Sequence, residues 1–262
     1  MSKLKSGNTV AFMLLVWLCA NAIIALFLPK WVGFAGIISC TLPMLLFKQK
    51  HRGKTFGSRD CKTVKYKKKE YALFFVFCIC GSALISALTY LLFEEPVAES
   101  AVKHHSEFFY PLVFSCFIPA FFEEWFVRGG VFGVLAKHGG LGIYACTLVF
   151  AVMHRTDRLL YAAFAGLFIT ALVYVTECVY LGMLLHFLNN FISLLLSYLS
   201  GGAEYIALSV ILVLFALSSA LLIKSNLLSD IGKALATYNK EDRKEVITPL
   251  LIVVLLVSGI FI

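Results

Sequence analysis

Long apolar runs separated by short polar ones make up nearly the whole chain. Nine apolar segments stand out, at roughly 9–28, 31–47, 71–93, 108–136, 141–154, 157–177, 179–199, 203–223 and 247–262. About 20 residues of helix cross a ~30 Å hydrocarbon layer, so most of these runs predict membrane-spanning helices. The expected fold is all-α: a polytopic transmembrane helix bundle of about eight core spans. The last segment, 247–262, is either an extra span or, at 16 residues, a helix lying along the interface. No repeat, low-complexity tract or soluble domain interrupts the pattern, so residues 1–262 read as a single membrane domain.

Composition supports the same conclusion. With 60% hydrophobic residues and a mean hydropathy of +0.88, the chain has more apolar surface than a soluble fold of this length can hide. The net charge of +8 is unevenly spread: ten basic residues lie between Lys48 and Lys69 against one acid, Asp60. The N-terminus, the 48–70 loop and the 224–246 loop hold most of the Lys and Arg, which predicts that all three are cytoplasmic. The 94–107 loop, with Glu94, Glu95, Glu99 and Glu107, then falls on the other side. Basic loops so placed touch anionic lipid headgroups, whereas a nucleic-acid partner is not expected, because no recognition fold accompanies them.

The first run has no small-residue cleavage site after it and reads as a retained helix. The absence of an organelle signal points to a prokaryotic cell membrane, with the N-terminus cytoplasmic. Most of the eight cysteines, including Cys40, Cys116, Cys146 and Cys178, fall in apolar runs and read as small buried hydrophobes. Neither a disulfide framework nor a cysteine metal site is expected.

Three of the apolar runs carry polar residues that lipid would not tolerate unless they face a protein interior or a wet cavity. The first holds Phe121-Phe122-Glu123-Glu124-Trp125-Phe126-Val127-Arg128-Gly129-Gly130, the second ends in Phe150-Ala151-Val152-Met153-His154, and the third contains His186-Phe187-Leu188-Asn189-Asn190. Glu124 and Arg128 share one helical face and can pair, while Glu123, ~100° around the helix, is free for another task. His186 and Asn190 also share a face. Counted along the helices, Glu123 lies ~22 Å from the outer start of its span, while His154 and His186 lie ~20 Å and ~10 Å from the cytoplasmic ends of theirs. These depths predict a cavity in the cytoplasmic half, open to cytosolic water. A carboxylate beside an imidazole can take a proton from water, and a second imidazole with an amide can stabilise an oxyanion. Glu123, His154 and His186 can equally hold zinc with an open water position, although no HExxH is present.

These motifs resemble the CPBP family of CAAX proteases and bacteriocin-processing enzymes. The family pattern of EExxxR, FxxxH and HxxxN or HxxxD appears complete and in order as Glu123-Glu124…Arg128, Phe150…His154 and His186…Asn190, within about 108–200. The resemblance implies an intramembrane endopeptidase in which Glu123 activates water that His154 helps to position. It further implies that His186 and Asn190 form the oxyanion site, while Glu124 and Arg128 hold the motif helix. It favours glutamate-dependent, metal-free hydrolysis with no cofactor, zinc being the alternative. The substrate it implies is a membrane-associated peptide or lipidated protein, such as a CAAX-type protein or a bacteriocin or pheromone precursor, reached from the cytosolic side.

Two other readings compete. A silent scaffold or immunity protein of the same family tolerates losing the motif residues, and here all are present. A proton-coupled transporter also uses intramembrane Glu and His but predicts inverted repeats, and no internal symmetry is evident. Asn189 reads as structural, and His51, His104, His105 and His138 as solvated loop residues.

Overall fold

The computed structural model describes residues 5–27, 34–51, 66–93, 108–154, 158–199 and 202–261, and no strand occurs among them. The helices are α1 (Ser6–Phe27), α2 (Ala35–His51), α3 (Lys68–Phe93), α4 (109–135), α5 (Gly139–Val152), α6 (Leu159–Thr176), α7 (Val179–Ser197), α8 (Ala203–Leu222), α9 (Asn226–Ala236), α10 (Arg243–Val246) and α11 (Pro249–Phe261). Every apolar run of the sequence lies on one of them. Six helical segments among the described residues are long and apolar enough to cross a membrane, with 109–152 counted as one; Ala35–Phe47 and Pro249–Gly259 are shorter apolar stretches. The molecule is an all-α polytopic bundle.

The run 109–152 does not continue straight. Gly139, at φ 55° and ψ −131°, reverses the chain after α4, a conformation that a side chain would disfavour. α5 then returns beside α4, bringing Cys146 Sγ to 3.8 Å from the Val127 carbonyl. α6 packs along α5, α7 against α4 and α6, α2 against α1, and α8 against α3. Lipid supplies no hydrophobic drive between helices, so close packing and interhelical hydrogen bonds hold such a bundle. Phe126, Phe132, Phe150 and Leu172 fill its centre, whereas Val210, Leu212, Val213 and Leu217 of α8 face outward. α11 lies along α1, and its 13 residues reach only ~20 Å, short of a full crossing.

The basic end of the bundle is more ordered than the sequence suggests. The 224–246 segment, expected as a loop, contains α9, whose Leu227, Ile231 and Ala234 are buried. Ser225 caps this helix by accepting from the Leu228 amide at 3.1 Å, and Glu70 of α3 accepts from the Asn226 amide at 3.0 Å. Tyr66 donates to Asp230 at 2.9 Å, and the Thr237 carbonyl accepts from the Gly140 amide at 3.0 Å. His138 is also not solvated: it is 4% exposed, with Nδ1 2.8 Å from Asp242 and Nε2 3.0 Å from Ser6 Oγ. A buried imidazole here joins α1, the α4–α5 turn and the start of α10. The side chains of His51, His104 and His105 lie outside the described residues.

One cysteine also departs from expectation. Cys178 is disulfide-bonded. It stands buried in the turn between α6 and α7, after Glu177 at φ 54°.

Candidate active site

The motif helix α4 is not a uniform α-helix. The Ile118 amide bonds the Val113 carbonyl, and the Phe132 amide the Val127 carbonyl, each five residues back. Wide turns of this kind are rare and recur at functional sites. Glu123 and Glu124 end the ordinary helical stretch between the two.

Glu124 ties several helices together through one oxygen, while its Oε2 is buried and, like that of Glu123, takes no hydrogen bond among the described residues. Its Oε1 accepts from Arg128 Nη1 at 2.6 Å and from His186 Nδ1 at 2.9 Å, with both Glu124 and Arg128 fully buried. Arg128 also donates to Thr170 Oγ1 at 3.3 Å and to the Gly166 carbonyl at 3.2 Å, both on α6. Its guanidinium lies 4.2 Å from the centre of the Phe150 ring. One ion pair thereby joins α4, α5, α6 and α7. Close approach is needed here: a Cβ on Gly182 of α7 would stand 3.2 Å from Glu124 Oε2 and 2.9 Å from Val173.

Glu123 faces a different neighbour. Its Oε2 lies 3.9 Å from His154 Nε2, and that buried oxygen takes no hydrogen bond among the described residues. His154 Nδ1 donates to the Phe150 carbonyl at 2.8 Å, a contact that orients the ring and leaves Nε2 toward the carboxylate. Buried polar atoms are ordinarily satisfied, so an unsatisfied carboxylate oxygen aimed at an imidazole marks a site.

Asn190 is held separately. Its Nδ2 donates to the Ser115 carbonyl at 3.1 Å, and its Oδ1 accepts from Tyr161 OH at 3.3 Å. Four residues beyond Ser115 comes Pro119, which has no amide to offer that carbonyl. Asn189 donates to the same Tyr161 hydroxyl at 2.6 Å, so its structural role agrees with expectation. Sequence reasoning missed Tyr161, Thr170 and the Ser115 carbonyl; only Pro119 hints at the last. His186 and Asn190 both bond α4, at Glu124 and at the Ser115 carbonyl, and Asn190 also bonds Tyr161 of α6.

A cavity of 320 Å³ is lined by Gly36 of α2 and by Tyr110, Phe114, Ser115, Ile118, Pro119, Phe122 and Glu123 of α4. Of the six motif residues, only Glu123 lines it. The cavity extends from Glu123 toward the start of α4, the end of the bundle opposite His138, α9 and α10.

The zinc alternative draws on Glu123, His154 and His186. Both histidines hold Nδ1 in a hydrogen bond and leave Nε2 free, as a metal-ligating histidine also does, and no grouping of three His, Cys, Asp or Glu side chains suited to a metal occurs among the described residues.

Residues 105–192 match the family described as Type II CAAX prenyl endopeptidase Rce1-like. Over that stretch, about a third of its length, the chain is similar to this CAAX protease family. No curated protein and no solved structure matches it. The matched stretch contains all three motifs, and the six helical segments long and apolar enough to cross a membrane make the chain an integral membrane protein.

Proposed function

We propose that this chain is an endopeptidase in which Glu123 takes a proton from a water held between its carboxylate and His154. The observation that carries the reading is the 3.9 Å separation of Glu123 Oε2 and His154 Nε2, too long for a direct hydrogen bond and short enough for one bridging water. With His154 Nδ1 donating to the Phe150 carbonyl, Nε2 offers a lone pair to that water. The water oxygen attacks the scissile carbonyl carbon as Glu123 accepts one proton. The C–N bond of the tetrahedral intermediate then breaks, and the same proton passes to the departing amine. The second water proton stays with the new carboxyl group.

His186, held through Nδ1 by Glu124, has Nε2 left to meet the oxyanion when the ring is protonated, and Asn190 has a second Nδ2 hydrogen to offer. Glu124 and Arg128 act through His186 and are positioning residues. The substrate is a membrane-associated peptide or lipidated protein.

The test is cleavage of a panel of membrane-anchored peptides by the purified protein, comparing wild type with Glu123→Ala and His186→Ala, with and without chelator. Cleavage lost in both variants and indifferent to chelator is the expected result. Loss on chelation with rescue by zinc would replace glutamate-activated water with a metal mechanism. Variants as active as wild type would leave the scaffold reading.

A further inference from the structure

We propose that Tyr161 is a positioning residue of the same reaction: it turns the Asn190 amide so that nitrogen, not oxygen, is left to meet the oxyanion. This inference rests on the protease reading above and adds a residue of α6 that lies outside the three motifs.

An amide side chain has a donating end and an accepting end of nearly the same shape, and its partners decide which way round it sits. One end of Asn190 lies 3.1 Å from the Ser115 carbonyl oxygen. A carbonyl only accepts, so that end is Nδ2. Oδ1 then points at the Tyr161 hydroxyl, 3.3 Å away. The hydroxyl has a single proton, and Oδ1 takes it. With that proton committed, the phenol oxygen can only accept from Asn189, 2.6 Å away, whose facing atom is therefore Nδ2. Ser193, one turn beyond Asn189 on α7, also meets the phenol oxygen and has a hydroxyl proton of its own to give. The polarity of the whole chain is thus set from the Ser115 carbonyl backwards: Asn189 donates to Tyr161, Tyr161 to Asn190, and Asn190 to Ser115.

This chain of bonds joins α7, α6 and α4, and it ends on the helix that carries Glu123. Ser115 and Glu123 line the same cavity, so the Asn190 amide is fastened at the edge of the space beside the catalytic carboxylate. Its second Nδ2 hydrogen has no acceptor among the described residues and is the one left for the oxyanion. Hydrogen bonds in series polarise one another, so the proton that Tyr161 gives to Oδ1 makes this N–H a stronger donor. Without the hydroxyl, Oδ1 is unpaired, the amide is less polarised, and its plane is free to turn away from the site.

Tyr161→Phe keeps the ring and removes only the hydroxyl. The experiment measures kcat and KM for a membrane-anchored peptide with purified wild type, Tyr161→Phe, Asn190→Ala and the double variant. Glu123→Gln serves as the inactive reference, and thermal unfolding in detergent gives the folded fraction of each. Tyr161→Phe should lower kcat per folded molecule about tenfold, the worth of about one hydrogen bond, with KM little changed. Asn190→Ala should lose about 10²-fold or more, as loss of an oxyanion donor does. In the Asn190→Ala background, Tyr161→Phe should cost less than about twofold, because a residue that acts only through Asn190 has nothing left to act on. A tenfold loss repeated in that background overturns the proposal. So does a Tyr161→Phe variant whose kcat per folded molecule equals that of wild type, or whose loss is confined to KM, since a purely structural hydroxyl changes only the folded fraction. Cleavage retained by Glu123→Gln would instead sink the protease reading, and this inference with it.

Discussion

Adjacent glutamates in one motif have opposite surroundings, and their chemistry follows from that difference. Glu124 is fully buried with Arg128 and His186 on one oxygen, so its charge is spent on holding helices together. Glu123 keeps 23% of its side chain exposed and lies near His154, where water can reach it. Glu123→Gln retains shape but removes the base, and kcat should fall by about 10²–10⁴-fold with an unchanged unfolding temperature. Arg128→Met should behave in the opposite way. It strands a buried carboxylate, which costs about 3–5 kcal/mol, and the loss is read as a large fall in thermal unfolding temperature in detergent. Equal loss of stability in both variants would contradict this division of roles.

At the scale of elements, irregularities in α4 and close approaches by α7 shape the site. Pro119 cannot donate to the Ser115 carbonyl, and Asn190 of α7 donates there instead. Pro119→Ala supplies a competing amide, and a loss of up to about tenfold in kcat/KM is expected, the worth of about one hydrogen bond. Gly182→Ala places a methyl group 2.9 Å from Val173 and 3.2 Å from Glu124. Overpacking of this kind costs about 1–3 kcal/mol, so the variant should unfold at lower temperature and cleave more slowly, because α7 carries His186 away from Glu124. α9 was legible in principle, since Leu227, Ile231 and Ala234 recur at helical spacing. The basic residues around this short apolar stripe mask its signal. The wide turns of α4 leave no such trace in the sequence, because they arise from packing against neighbouring helices.

At the scale of the whole molecule, the His138 clasp and the cavity lie toward opposite ends of the bundle. One end is clasped by His138, Ser6 and Asp242, and the other carries Glu123 and the cavity. His138→Ala leaves buried partners unpaired at the basic end, at a cost of about 1–3 kcal/mol. Thermal unfolding should show that loss while kcat per folded molecule stays unchanged; a parallel fall in kcat would mean that the two ends are coupled. The sequence alone determined the helical bundle, because lipid demands long apolar helices and their runs are visible residue by residue. It also determined the Glu124–Arg128 pair, because spacing by four along one helix sets a contact by itself. What Glu124 shares with His186, how near Glu123 comes to His154, and which end of the bundle holds the cavity depend on separate helices meeting. Those distances come from packing in three dimensions, and only the tertiary structure decided them.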